Sequence, residues 1–467
     1  MKTITLGKLA EIMAGRLVNG NRQTLIQNLN YGKPKALKPD QVYIYKKSVK
    51  WEKQLTAIRN VQPKAIVIPH HLSKQRFPSA CAIILVQDPY QAFFRAALWN
   101  WRQIRPRVIG VTGSAGKSTT LSMIASILKR RWSMVTTQGN LNTFTFLPSY
   151  LARLRPHHQL LLLEMGMKSL NNIRRQCQIV RPHIGVVTNV GEAHVGSLGG
   201  LDIVVKAKQE LVDGVRQGGT ILINRDDQRS QKLNTRHHHG KVRTFGIKNR
   251  SHFQGANVRY TQKGMAFDAI IAGKRYSFFI PTYGVHNVYN ALAAIGAAYE
   301  FGASITDIQK GLSTFRLPKM RLQFIRGRAG RLLINDAWNA NPTAMIAGLN
   351  VLKRLSGSKP SIAVLGDMLE LGKLTVFSHR RVGKHVARLN LSQLITVGSK
   401  GRIIAQAAIE EGMDPRKVFT YSSRQEVVRH ILYHTPTNSL VYFKASRKLH
   451  FERIIKQLKR EAQKATS

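Results

Sequence analysis

A chain of 467 residues exceeds one ordinary core, since single cores stop growing at roughly 250 to 300 residues, so two or three domains are expected. With 43% hydrophobic and 21% charged residues, the composition is that of a folded soluble protein and excludes a long disordered tract. The 73 Lys and Arg against 23 Asp and Glu leave a formal charge of +50, a field that attracts phosphates, nucleic acid or anionic surfaces.

The basic residues are scattered through the whole chain rather than gathered into an arm. No zinc-finger spacing, basic zipper or RNP-like aromatic motif accompanies them, so non-specific anion binding is expected and specific nucleic-acid recognition is not. The longest apolar runs fall far short of the roughly 20 residues of a membrane span. The N-terminal residues lack the apolar core and cleavage site of a secretory signal. Only Cys81 and Cys177 are present, which gives no disulfide framework. A monomer in a reducing cytoplasm is the expectation.

In chain order, the first hundred residues mix short strand patterns at 41–45, 65–69 and 81–86 with an amphipathic helix at 91–101. The pattern breaks at Pro106, which marks a boundary. Strands at 108–112, 160–164, 184–189 and 220–224 then alternate with helical segments, the first of them at 117–131, which argues a mainly parallel sheet covered by helices. Shorter runs at 237–280 read as antiparallel strands, and an Ala-rich helix follows at 286–301. A further α/β segment begins after Pro318, with strands at 331–335, 361–365, 394–397 and 439–443. The triplet His237, His238 and His239 reads as a solvated loop.

The turn Gly113, Ser114, Ala115, Gly116, Lys117, Ser118, Thr119 follows an apolar strand and opens a helix. Small residues let backbone amides approach a polyphosphate, and the helix N-terminus adds its positive end. Lys117 would bridge outer phosphates and the Ser118 hydroxyl would ligate magnesium. The spacing is not a strict Walker A, because the first glycine lies one residue early. Glu164 stands at the carboxyl end of its strand, where open α/β sheets place ligands. Taken alone it reads equally as a magnesium ligand or as a strand-terminal carboxylate in solvent. His194, after the strand at 184–189, is by itself a metal ligand or a hydrogen-bonded loop residue. Two such endings beside a phosphate turn point to one shared crevice. Composition alone gives Lys206 and Lys208 no role.

These segments together resemble the Mur ligase family over nearly the whole chain. TGSAGKST is similar to its TGxxGKT loop, and EMGMKSLNNI to its EMG motif. GVVTNVGEAHVGSLGG, KAKQE, GVHNVYNALAA and NDAWNANPTAM resemble further family motifs in order, and VLGDMLELG points to the member that adds D-alanyl-D-alanine. The resemblance implies an α/β, three-domain architecture: a UDP-substrate domain at 1–104, a central P-loop ATPase domain with a parallel sheet at 105–315, and a Rossmann-like domain at 316–467. It implies ATP and two magnesium ions as cofactors. The implied reaction joins D-Ala-D-Ala to UDP-N-acetylmuramoyl-tripeptide through an acyl phosphate.

By the same resemblance Glu164, His194 and a carbamylated Lys208 would be metal ligands, with Lys206 outside the motif's frame. Asn287 would contact adenine, Asp336 the ribose, and Arg321 would reach the nucleotide from the C-terminal domain. The chain departs from the family at Met320, Asn335, Trp338 and Ala445, after His194, and through residues 29–55 of the N-terminal domain. The departures leave two further readings: a Mur-type ligase for another anionic acceptor, and a non-catalytic anion-binding paralogue.

Overall fold

The computed structural model describes residues 1–192 and 195–464. The chain forms two compact units, residues 1–108 with 132–163 and residues 109–131 with 164–467.

In the first unit a five-stranded sheet runs in the order Arg16–Asn19, Ala82–Val86, Ala65–Pro69, Gln41–Ile44, Asn28–Tyr31. Only the edge strand Arg16–Asn19 pairs antiparallel. The helix Pro89–Ile104 opens on Asp88, whose side chain accepts from the amides of Tyr90 and Gln91, and on Pro89, so its start is set by an N-cap and a pre-organised first residue. It closes on Arg105 in the left-handed conformation. Asn100 of that helix is buried and donates to the carbonyls of Leu151 and Leu154, which ties the segment 132–163 to the first hundred residues. That segment carries the parallel strands Met134–Thr136 and Leu160–Glu164.

The second unit holds two sheets. In the first, the strands follow the order Arg107–Thr112, Ile184–Val187, Thr220–Asn224, Lys241–Gly246, Phe253–Thr261, Gly264–Ile271, Lys274–Ile280. The pairings are parallel as far as the start of Phe253–Thr261 and antiparallel beyond it. The expectation of antiparallel strands from residue 237 therefore holds only for the last strands. Lys241–Gly246 extends the parallel part, because residues 225–240 carry the chain back to the near end of the sheet instead of reversing it. The helices Lys117–Leu128 and Val285–Phe301 pack on each other.

The second sheet runs Gln323–Arg326, Leu332–Asn335, Leu440–Lys444, Ser361–Gly366, Gln393–Val397, Val418–Tyr421, and is parallel except for its first pair. Its central strands are apolar on both faces, as a sheet covered on both sides requires. Ala363 and Leu365 enter one core, Ile362 and Val364 the other, in the alternation that a strand imposes. Among the described residues no helix is long and apolar enough to cross a membrane.

Candidate active site

The strand Arg107–Thr112 ends in a turn that leads directly into the helix Lys117–Leu128. Gly113 and Gly116 have φ of 146° and 80°, in the region that side chains rarely adopt. A Cβ on Gly113 would stand 1.9 Å from Thr188 Oγ1, and one on Gly116 2.2 Å from Asn290 Oδ1, so both positions require glycine on two grounds. The first amides of a helix have no partner within it and carry the positive end of its dipole. The turn thus presents donors where a phosphate would sit.

The end of the neighbouring strand braces this turn. Ala115 donates its amide to Asn189 Oδ1 at 2.9 Å, and its carbonyl accepts from Thr188 Oγ1 at 2.6 Å and from Asn189 Nδ2 at 3.1 Å. Ser114 Oγ donates to the Gly191 carbonyl at 2.9 Å and accepts from the Gly191 amide at 2.8 Å. Sequence reasoning missed Thr188 and Asn189, although polar residues at a buried strand's carboxyl end were a readable signal.

Lys117 Nζ donates to the Gly113 carbonyl at 2.8 Å. Burial draws its pKa down, the Glu164 carboxylate opposes this, and the Arg321 guanidinium adds to it. Ser118 Oγ donates to Glu164 Oε2 at 2.6 Å and accepts from Arg321 Nη2 at 3.2 Å. Glu164 is 4% exposed, so it is not a solvated strand end. A hydroxyl and a carboxylate converging on one point form the oxygen donor set that suits magnesium.

The structure separates the two lysines of KAKQE. Lys206 is exposed, whereas Lys208 is 1% exposed. The partners of Lys208 Nζ among the described residues are Thr112 Oγ1 at 3.1 Å and Met167 Sδ at 3.6 Å, neither of them charged. Its pKa lies well below the ordinary lysine value, first through burial and then through the nearby Lys117 charge, with Glu164 and Glu210 acting the other way. Glu210 of the same motif has a separate task. Its carboxylate accepts from the amides of Asn171, Ile173 and Arg174, at 2.6, 3.1 and 3.0 Å, and so caps the helix Asn172–Val180.

Asn287 is buried, donates to the Tyr283 carbonyl at 2.8 Å, and accepts from Asn290 Nδ2 at 3.1 Å. Asn290 Oδ1 in turn accepts from Thr120 Oγ1 at 3.3 Å, which links this helix to that of the phosphate turn. Asp336 follows the strand Leu332–Asn335 and is paired with the buried Lys444 at 2.5 Å. The same carboxylate accepts from Tyr442 Oη at 2.9 Å and from the Leu322 amide at 3.3 Å. Arg321 stands between Met320 at φ 62° and Leu322 at φ 39°, a left-handed backbone on both sides that aims the guanidinium at Ser118. His194 lies outside the described residues, and Thr119 is buried in the first turn of its helix. Lys117, Ser118, Glu164, Lys208 and Arg321 thus form one neighbourhood. Asp336 is coupled to it through the field it exerts on Arg321.

This arrangement defines an α/β protein of the phosphate-turn class in which a second α/β layer sends an arginine to the nucleotide loop. The profile of the Mur ligase middle domain matches residues 111–298, and that of the Mur ligase glutamate ligase domain matches residues 320–447. The chain is 31% identical over 455 residues to the UDP-N-acetylmuramoyl-tripeptide--D-alanyl-D-alanine ligase of Bacillus subtilis, covering 97% of this chain and 98% of that one. It is 30% identical to the enzyme of the same name from Escherichia coli, over 70% of this chain and 72% of the relative. Its fold is similar to that of MurF from Acinetobacter baumannii, with a TM-score of 0.83 at 27% identity over 98% of this chain and 99% of the other. It is also similar to the MurF ligase of Thermotoga maritima in complex with ADP, with a TM-score of 0.77 at 22% identity over 94% and 98%. The chain belongs to the Mur ligase family, with its three-domain α/β architecture, and is an ATP-dependent amide ligase.

Proposed function

We propose that the chain joins D-Ala-D-Ala to UDP-N-acetylmuramoyl-tripeptide in peptidoglycan precursor synthesis, acting as a cytoplasmic monomer. Its near full-length likeness to the Bacillus subtilis ligase of that name supports the reading on the substrate side. On the chemical side one observation carries it: Ser118, Glu164 and Arg321 converge beside Lys117, and the buried Lys208, whose hydrogen-bond partners are uncharged, adjoins them. In this reading the domain limits fall near residues 105 and 316, the first domain serving the UDP substrate, the middle one ATP and the last the dipeptide.

A peptide carboxylate is a poor electrophile. ATP phosphorylates it, giving an acyl phosphate and ADP, and the dipeptide amine then attacks the acyl carbon to form the amide and release phosphate. Lys117 and Arg321 offset charge on the transferring phosphoryl group. Gly113, Ser114, Ala115, Gly116 and Thr119 shape the turn that holds the phosphates. Asn287 would contact the adenine and Asp336 the ribose, and for the latter the hold of Lys444 on the carboxylate must loosen.

Ser118 and Glu164 would hold one magnesium ion, and His194 with a modified Lys208 a second. Magnesium supplies Lewis-acid neutralisation of phosphate charge. An ammonium does not ligate a cation, and burial disfavours that form of Lys208. Its neutral amine adds to carbon dioxide, forming an N–C bond and losing one proton, and the resulting carbamate offers oxygen donors.

The basic, diverged stretch 29–55 favours a second reading, a Mur-type ligase for another anionic acceptor. Phosphate release from ATP, with the UDP-tripeptide and D-Ala-D-Ala each omitted in turn, separates the two. Release that requires both supports the first reading. Release that ignores the UDP-tripeptide supports the second.

A further inference from the structure

The segment that braces the phosphate turn is itself held from the far side. Glu192, at its end, is 5% exposed, and a buried carboxylate needs a partner to offset its desolvation. That partner is Arg381, whose Nη1 lies 2.6 Å from Glu192 Oε1. Arg381 comes from the helix Thr375–Arg388, which covers the second sheet, 189 residues away in sequence. The contact is reinforced next door, where the Gly196 amide donates to the Glu370 carbonyl at 3.0 Å. There the two chains meet backbone to backbone, since a Cβ on Gly196 would fall 2.3 Å from the Gly372 amide nitrogen. Glu370 and Gly372 close the VLGDMLELG segment, so that segment has a mechanical task as a docking edge for the brace.

We propose that Arg381 is a positioning residue for nucleotide binding, acting through Glu192 to seat the brace 188–192 against the phosphate turn. The path is short. Glu192 adjoins Gly191, whose amide and carbonyl bracket Ser114 Oγ, and Asn189 and Thr188 hold Ala115. Docking of the second sheet's layer therefore sets the aim of the turn's amides, which couples the arrival of the amino-substrate domain to the grip on ATP. Phosphate-facing donors displaced by even about 1 Å lose much of their value. The inference rests on the reading that ATP occupies this turn.

The test uses the full chain carrying Arg381→Ala, Arg381→Lys, Glu192→Gln, and the double change Glu192→Gln with Arg381→Ala. Binding of a fluorescent ATP analogue with magnesium is measured beside steady-state KM values and the melting temperature. Arg381→Ala is expected to weaken analogue binding and raise the KM for ATP about tenfold, the worth of one charge-assisted hydrogen bond. The KM for the UDP-tripeptide stays unchanged and Arg381→Lys restores most of the loss. The double variant is expected to be no worse than the poorer single one, because the two residues act as one unit. An unchanged KM for ATP in Arg381→Ala would overturn the proposal. So would a parallel rise in both KM values with a fall in melting temperature, or additive losses in the double variant. Failure of the unsubstituted chain to bind the analogue would overturn the nucleotide reading as well, whereas equal binding by it and by Arg381→Ala removes only the role of Arg381.

Discussion

Lys208 Nζ lies 3.1 Å from Thr112 Oγ1, and that hydroxyl donates onward to the Met165 carbonyl at 2.8 Å. The amine is therefore buried against a neutral hydroxyl whose own proton is already committed. Burial disfavours the charged form of this lysine, and the neutral amine is the state that carbamate formation needs. Lys208→Ala is expected to lower turnover by about a hundredfold or more, the scale of a lost charge-stabilising group. Intact-mass measurement in bicarbonate buffer is expected to show the addition of one carbon dioxide on the unsubstituted chain and none on the variant. Near-normal turnover by the variant would remove the carbamate from the account.

Lys117 spans the turn to the Gly113 carbonyl at 2.8 Å and stands within the fields of Glu164 and Arg321. Lys117→Ala is expected to cost about a hundred- to a thousandfold in kcat. Urea denaturation should show little change in stability, because the buried Glu164 carboxylate keeps the Ser118 hydroxyl and the Arg321 guanidinium beside it.

The carboxylate of Glu210 takes three backbone amides at the start of the helix Asn172–Val180. Removing it strands those donors, so Glu210→Ala is expected to destabilise the fold by about 2 kcal/mol. A shift of the urea midpoint at unchanged slope reports the loss. The cap also fixes the residues that follow Glu164, so turnover is expected to fall with stability.

Burial holds His286 and His430 neutral, each with its pKa drawn down to about 4 from 6.5. Below pH 6.5 the unfolded chain binds these protons and the folded chain does not. Their contribution to stability is thus complete above that value and is lost as pH falls towards 4. Each histidine steepens the acid limb by at most about 1.4 kcal/mol per pH unit. His430→Gln, measured by urea denaturation at several pH values between 7 and 4, is expected to flatten the limb. An unchanged slope would contradict the assignment.

Asp336 and Lys444 form a buried pair at 2.5 Å. Lys444→Ala leaves the carboxylate buried and unpaired, and is expected to cost about 3 to 5 kcal/mol. Replacing both residues together, as Asp336→Leu with Lys444→Met, is expected to cost less than the sum of the single changes. Chemical denaturation of the four proteins reads the difference.

What was legible in the sequence was what is encoded locally. The phosphate turn, its flanking strand and helix, and the placement of Glu164 at a strand end all depend on residues within a few positions of one another. The family motifs added the distinction between Lys206 and Lys208, which the structure expresses as exposure against burial. The residues missed act through pairings that no periodicity reveals. Glu210 reaches Asn171 across 39 residues, Lys444 reaches Asp336 across 108, and Arg381 reaches Glu192 across 189. The strand Lys241–Gly246 was misjudged for a related reason, since its direction is set by how residues 225–240 return to the sheet.

Ligation through an acyl phosphate leaves its mark in the fate of the acceptor's carboxylate oxygens. UDP-N-acetylmuramoyl-tripeptide carrying a heavy-oxygen label in its terminal carboxylate is turned over with ATP, magnesium and D-Ala-D-Ala, and the inorganic phosphate is analysed by mass. One labelled oxygen is expected in the phosphate for every amide bond formed, and none when ATP is omitted. Amide formation with unlabelled phosphate would contradict that route.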